Sequence, residues 1–152
     1  MIRFAAVLLL ALAACSTTST VYQPLPPQPS VGQAYAYAFE NNGGDDLEGI
    51  AKLDRMIHAR LLTAGVVAAT GEASAGRVEV DLTHYYVRSN AARFWAGIMA
   101  GRDKIVSRVT VLDEAGKETG SFEVETTNIS AWGSTQGLME KHVEEILAQL
   151  QG

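Results

Sequence analysis

The sequence predicts an α+β domain, a mostly antiparallel sheet of four or five strands with two amphipathic helices packed on one face. Three observations carry this. Two segments repeat apolar residues every three or four positions, as a helix with one buried stripe does. Several others alternate apolar and polar residues with period two, as half-buried strands do. Each pattern leaves one apolar side to cover, and a two-layer arrangement covers both.

Met1 to Cys15 comes first in the chain and stands apart from the fold. Arg3 is its positive charge, and Phe4 to Ala14 holds no charged or polar side chain. Those 11 residues are too few to span a bilayer as a helix, which needs about 20. A basic start, a short apolar run and small residues at the end read as an export signal covering 1–14, cleaved between Ala14 and Cys15. Leu12-Ala13-Ala14-Cys15 resembles the lipobox of bacterial lipoproteins. That resemblance implies diacylglycerol, with palmitate-type chains, on the Cys15 thiol. Each buried methylene contributes about 0.8 kcal/mol and one chain holds only marginally, so two or three chains are expected in the anchor. Ser16 stands where an aspartate would favour inner-membrane retention. The expected location is therefore the outer membrane, on its periplasmic face.

Residues 15–31 read as the lipidated cysteine followed by a tether. All four prolines lie here (Pro24, Pro26, Pro27, Pro29), and an extended polyproline segment of this length reaches about 40 Å. The domain proper is expected over 32–152. Ala34 to Phe39 alternates small and aromatic residues, a first strand. After Asn41-Asn42-Gly43-Gly44, the carboxylates Asp45 and Asp46 suit a helix N-terminus. Leu47, Ile50, Leu53, Ile57 and Leu61 form the stripe of that helix, and Gly65 ends it. A short strand over 65–69 is followed by a Gly/Ala/Ser loop. From Arg77 to Arg88, Val78, Val80 and Leu82 point one way and Glu79, Asp81 and Thr83 the other. Ile105, Val109 and Val111, the turn Asp113-Glu114-Ala115-Gly116, and Phe122 with Val124 make a hairpin. Met139, Val143, Ile146 and Leu150 give the second helix, beginning near Ser134.

The segment Asn90-Ala91-Ala92-Arg93-Phe94-Trp95-Ala96-Gly97-Ile98-Met99-Ala100-Gly101, with the strand and acidic–Gly turn that follow, resembles domain-of-unknown-function family 4410. These are small bacterial lipoproteins carrying an arginine, a glycine-rich run and an alternating strand. Arg93, Gly97, Ala100, Gly101 and Gly116 match; Ile98-Met99 stands where the family has a second phenylalanine–glycine pair. The resemblance covers about 35–150 and implies an envelope domain with no catalytic residue to carry over.

Composition narrows the partners. The chain has 12 basic and 17 acidic residues, a formal charge of −5, and loss of residues 1–14 removes Arg3. An acidic domain repels nucleic-acid phosphates, so no nucleic-acid partner is expected. Cys15 is the single cysteine, which excludes an internal disulfide and cysteine-based metal sites. His58, His84 and His142 have no partner at ligand spacing, so no metal or cofactor is expected. Of the three, His84 shares the apparent strand face of Val80 and Leu82 and reads as a half-buried histidine.

One region concentrates positive charge. Arg88, Arg93, Arg102, Lys104 and Arg108 fall within 21 positions, interleaved with Phe94 and Trp95. Such a mixture suits anionic headgroups or an acidic protein face; alternatively the aromatics pack on the sheet and the charges solvate its edges. Gly133-Ser134-Thr135-Gln136-Gly137 superficially resembles a nucleophile elbow, but capping by Ser134 of the second helix explains it. No catalytic set emerges. The sequence thus favours a lipid-anchored, non-enzymatic binding or adaptor module for another envelope component. Two other readings remain: a carrier of a lipid or glycan fragment, with an apolar pocket, and a small hydrolase with converging titratable groups near His84.

Overall fold

The computed structural model describes residues 17–22, 34–88, 102–128 and 134–152. They form one five-stranded sheet and two helices. The strands are β1 (Thr17–Tyr22), β2 (Ala36–Asn41), β3 (Gly76–Tyr86), β4 (Asp103–Asp113) and β5 (Glu118–Asn128); the helices are α1 (Leu47–Thr63) and α2 (Thr135–Gln151). The order across the sheet is β1-β5-β4-β3-β2. The pairs β1–β5, β5–β4 and β4–β3 are antiparallel, and β2 runs parallel to β3. The expected mostly antiparallel sheet is therefore mixed. Parallel neighbours need a crossover, and α1 is that crossover, closing a β2-α1-β3 unit.

Register explains the inner face. Val78 sits opposite Val111, Val80 opposite Val109 and Leu82 opposite Ser107. On the other side of β4, Phe122 faces Val109, Val124 faces Ser107 and Thr126 faces Ile105. All these side chains are buried, and the apolar ones join one cluster with Ile50, Leu53, Ile57 and Leu61 of α1 and Leu138, Met139, Val143, Ile146 and Leu147 of α2. Leu47, expected in the α1 stripe, is 72% exposed. It opens the helix, one residue after the N-cap Asp46, whose side chain accepts from the Gly49 amide at 3.1 Å.

Local chemistry sets the ends. Ser134 caps α2 by accepting from the Gly137 amide at 2.9 Å, as expected. Gly65 adopts φ +72°, a left-handed conformation suited to glycine, directly after the C-cap of α1. At the β4–β5 turn the Asp113 carboxylate accepts from the amides of Ala115 and Lys117, each at 2.9 Å. The strand anticipated over 65–69 reduces to a single bridge between Val67 and Tyr35.

Two further corrections concern β1 and β3. Thr17–Tyr22 lies in the segment read as a tether, yet it pairs along its whole length with β5, from Thr17 opposite Asn128 to Tyr22 opposite Glu123. β-Branched threonine and valine suit a pleated edge strand. The four prolines lie outside the described residues, between β1 and β2. In β3 the register shifts between Leu82 and His84. One extra residue reverses the alternation, so Tyr85 takes the inner position and His84 is exposed on the outer face.

The α1 stripe gives a direct check. Leu53→Ala is expected to lower unfolding stability by about 2–5 kcal/mol, because Leu53 is fully buried. Leu47→Ala should change it by less than about 0.5 kcal/mol. Urea unfolding of the two variants measures both.

Candidate functional site

The basic cluster read from the sequence does not form one surface. Arg93, Phe94 and Trp95 lie outside the described residues, as do Ala14 and Cys15. Arg88 is buried, 6% exposed. Its backbone amide and its Nε both donate to Asp103 Oδ1, at 3.0 and 2.8 Å. The reason is topological: Arg88 follows β3, Asp103 opens β4, and the antiparallel pairing of these strands brings the residues together. The pair is almost fully desolvated, so it is costly to break and Arg88 is withdrawn from solvent. Opposite charges flanking the 89–102 connection were the available signal.

Lys104 and Arg108 do reach a common surface. Both stand on the outer face of β4, on the other side from the core. Lys104 Nζ lies 2.8 Å from Glu125 Oε2, and Arg108 Nη2 lies 3.6 Å from Glu123 Oε2. Arg108 and Glu123 are directly opposite in register. Thr18, Thr20 and Tyr22 of β1 extend this face, with Thr18 and Thr127 hydroxyls 3.0 Å apart. His84 and Tyr86 of β3 bound it on the other side, and exposed Arg102 lies at its end. A shallow depression of about 740 Å³ opens there, lined by Tyr22, Arg108, Thr110, Glu118, Ser121 and Glu123. The face is polar, with both signs of charge and several hydroxyls. Its part-exposed ion pairs contribute little to stability.

The inner face holds a polar group that sequence reasoning misplaced. His142 lies beside the expected α2 stripe and is fully buried. Its Nε2 is 2.8 Å from Ser107 Oγ on β4, and its Nδ1 is 2.9 Å from Thr126 Oγ1 on β5. A neutral imidazole offers one donor and one acceptor, and a hydroxyl can complement either. The three residues satisfy one another and peg α2 to two strands. Burial pushes the His142 pKa down to about 3. With its ring nitrogens occupied and the hydroxyls in the core, the Ser107–His142 contact is a structural peg, inaccessible to a substrate.

Other polar contacts tie the helices together and to β2. Arg60 of α1 grips Glu144 of α2 through two bonds, Nε to Oε1 at 2.7 Å and Nη2 to Oε2 at 3.1 Å. The hydrogen bond holds the Glu144 carboxyl below its ordinary range. Tyr37 donates to Asp54 at 2.8 Å, and its ring stacks on His58 at 4.8 Å. Burial, then Asp54, raises the Tyr37 hydroxyl pKa. The Tyr85 hydroxyl is buried beneath the first turn of α1 without a hydrogen-bond partner, and burial together with Asp46 and Asp103 pushes it up to about 12. Between the helices runs a more apolar groove of about 350 Å³ lined by Met56, Ala59, Thr63 and Val143 together with the charged Arg60, Glu140 and Glu144. Among the described residues no three His, Cys, Asp or Glu side chains gather as a metal ion requires, and no helix is long and apolar enough to cross a membrane.

These features define an α+β domain with a five-stranded mixed sheet, two helices and, among the described residues, charged and hydroxyl side chains on the outer face of β1, β5 and β4. The chain belongs to the domain of unknown function family DUF4410, whose family model matches residues 48–131. No curated protein matches it. Among solved structures it is similar to the PelC dodecamer from Paraburkholderia phytofirmans. A point variant of that protein shares 10% identity over 89% of this chain and 98% of that one, with a TM-score of 0.59. A second crystal form gives 9% identity over 90% and 99%, with a TM-score of 0.58. At that identity the likeness is one of fold.

His142 makes acid stability testable. The folded state keeps it neutral down to about pH 3, whereas the unfolded chain protonates it near its ordinary value, about 6.5. Between these values the unfolded state binds more protons. The stabilisation His142 provides is thus complete above about pH 6.5 and lost progressively as pH falls towards 3. Relative to His142→Gln, which does not titrate, the unmodified protein should lose about 3 kcal/mol more between pH 7 and pH 4. Urea unfolding at both pH values measures the difference.

Proposed function

We propose that the chain is exported, loses residues 1–14, and is acylated on Cys15 to become an envelope lipoprotein on the periplasmic face of the outer membrane. There it acts as a non-enzymatic adaptor that binds another envelope component, with both helices covering one face of its sheet and the other face used for docking. The lipobox-like run before Cys15 supports the anchored reading. The observation that carries the docking role is the outer face of β1, β5 and β4. Lys104 and Arg108 stand there in part-exposed pairs with Glu125 and Glu123, flanked by Tyr22 and a row of hydroxyls. Pairs of this kind re-form with an incoming partner at little cost, and the aromatic residue supplies contact area. PelC, which shares the fold, is a dodecamer; a second copy of this chain is one component the face could bind. A second reading, carriage of a lipid fragment, draws on the apolar groove between α1 and α2.

A photo-activated crosslinking residue at Thr110 or Ser121, on the outer face, should capture one discrete species in intact cells. The same residue at Glu140, on α2, should not. Lys104→Glu with Arg108→Glu places like charges beside Glu125 and Glu123 and should abolish the capture. Crosslinks from Glu140 alone, or capture unaffected by the charge reversal, contradict the outer-face assignment.

A further inference from the structure

The start of β1 fixes more than the edge of the sheet. Thr17 pairs with Asn128, and only Ser16 separates it from Cys15. Two virtual bonds of 3.8 Å put the Cys15 Cα within about 8 Å of the Thr17 Cα, whatever the conformation between them. Resting on the lipoprotein reading above, we propose that the domain has no leash: the acylated cysteine holds one defined end of the sheet directly against the bilayer. The proline-rich residues connect β1 to β2 instead of lifting the domain away.

Topology says which end. The first residue of β1 lies beside the last of β5, which lies beside the first of β4. The last residues of β3 pair with that same end of β4, and β2 runs parallel to β3. Asn41, Tyr86, Asp103 and Asn128 are thus at one end with Thr17. From that end the chain turns into both helices, so the N-termini of α1 and α2 face the lipid. The opposite end carries the 113–118 turn, Gly65 and the C-terminal Gly152. At about 3.3 Å per residue, the 11-residue strands separate the two ends by roughly 35 Å.

The charges are compatible with this pose. Near the lipid end, Arg102, Lys52 and Arg55 stand among Glu40, Asp45, Asp46, Glu48 and Asp54, and two helix N-termini add positive dipole ends. At the far turn Asp113, Glu114 and Glu118 outnumber Lys117. Anionic headgroups at that end meet the two helix N-termini. The outer face of β1, β5 and β4 stands upright from the membrane, its depression towards the Tyr22 end facing away from the lipid.

A short-range quenching experiment on the full acylated chain tests this. Cys15 is the single cysteine and is consumed by lipid, so one introduced thiol takes one fluorophore. Leu47→Cys marks the lipid end, where the side chain is 72% exposed, and Ala115→Cys marks the far turn. Each is reconstituted in phosphatidylethanolamine–phosphatidylglycerol vesicles containing a nitroxide-headgroup lipid. Quenching should be several-fold stronger at position 47 than at 115. Inserting 15 Gly/Ser residues between Ser16 and Thr17 should erase the difference. Equal quenching at both positions without the insertion, or a difference that survives it, overturns the proposal. Intact mass is read before reconstitution: a chain without acyl groups overturns the lipoprotein reading itself, a distinguishable failure.

Discussion

The inner face of β4 and β5 is the constraint on which the rest of the domain depends. Ile105, Val109, Val111, Phe122 and Val124 join there one core cluster that also holds residues of both helices, with Ser107 and Thr126 as buried hydroxyls on the same face. An apolar face alone would let α2 slide or rotate by a residue at modest cost. The His142 ring removes that freedom, because its nitrogens are satisfied only where Ser107 and Thr126 stand together across the β4–β5 pair. Displacing α2 would leave three buried polar groups without partners, each costing about 1–3 kcal/mol. Packing supplies the driving force, and the histidine supplies the register.

That peg occupies the inner face, and the proposed recognition falls to the other side. Charges on the outer face are paired and part-exposed, and the depression beside Tyr22 is shallow and polar. Buried charge is concentrated instead at the end of the sheet where Arg88 and Asp103 meet. In the proposed pose the anchor meets the fold at that end, since β1 begins beside β5 there. The proposed role follows from this division: one face for stability, one for docking, one end for lipid.

Both helices were legible in the sequence because their apolar spacing is local, and the hairpin because its turn chemistry is local. Ile50, Leu53, Ile57 and Leu61 fill the core as their period requires, and Ser134 caps α2. What escaped depends on tertiary pairing. Thr17–Tyr22 is polar enough to read as a linker, and only β5 makes it a strand. The shift after Leu82 adds one residue, which sends His84 outward and Tyr85 inward, contrary to the alternation seen over Val78 to Leu82. The burial of His142 left no mark in the sequence because the two hydroxyls that satisfy it come from distant strands. Arg88 looked like part of a basic surface because its partner, Asp103, lies across a connection. The mixed sheet escaped for a similar reason: a parallel return after a helix leaves no mark on the strand patterns themselves.

The account stands or falls on whether the folded sheet begins at Thr17. Amide hydrogen exchange on the full chain measures this directly. Alternate amides within Thr17–Tyr22 should be protected well above coil rates, in step with their neighbours in β5. Exchange throughout that segment at the rate of an unstructured peptide, with β5 protected only on its β4 side, would contradict it.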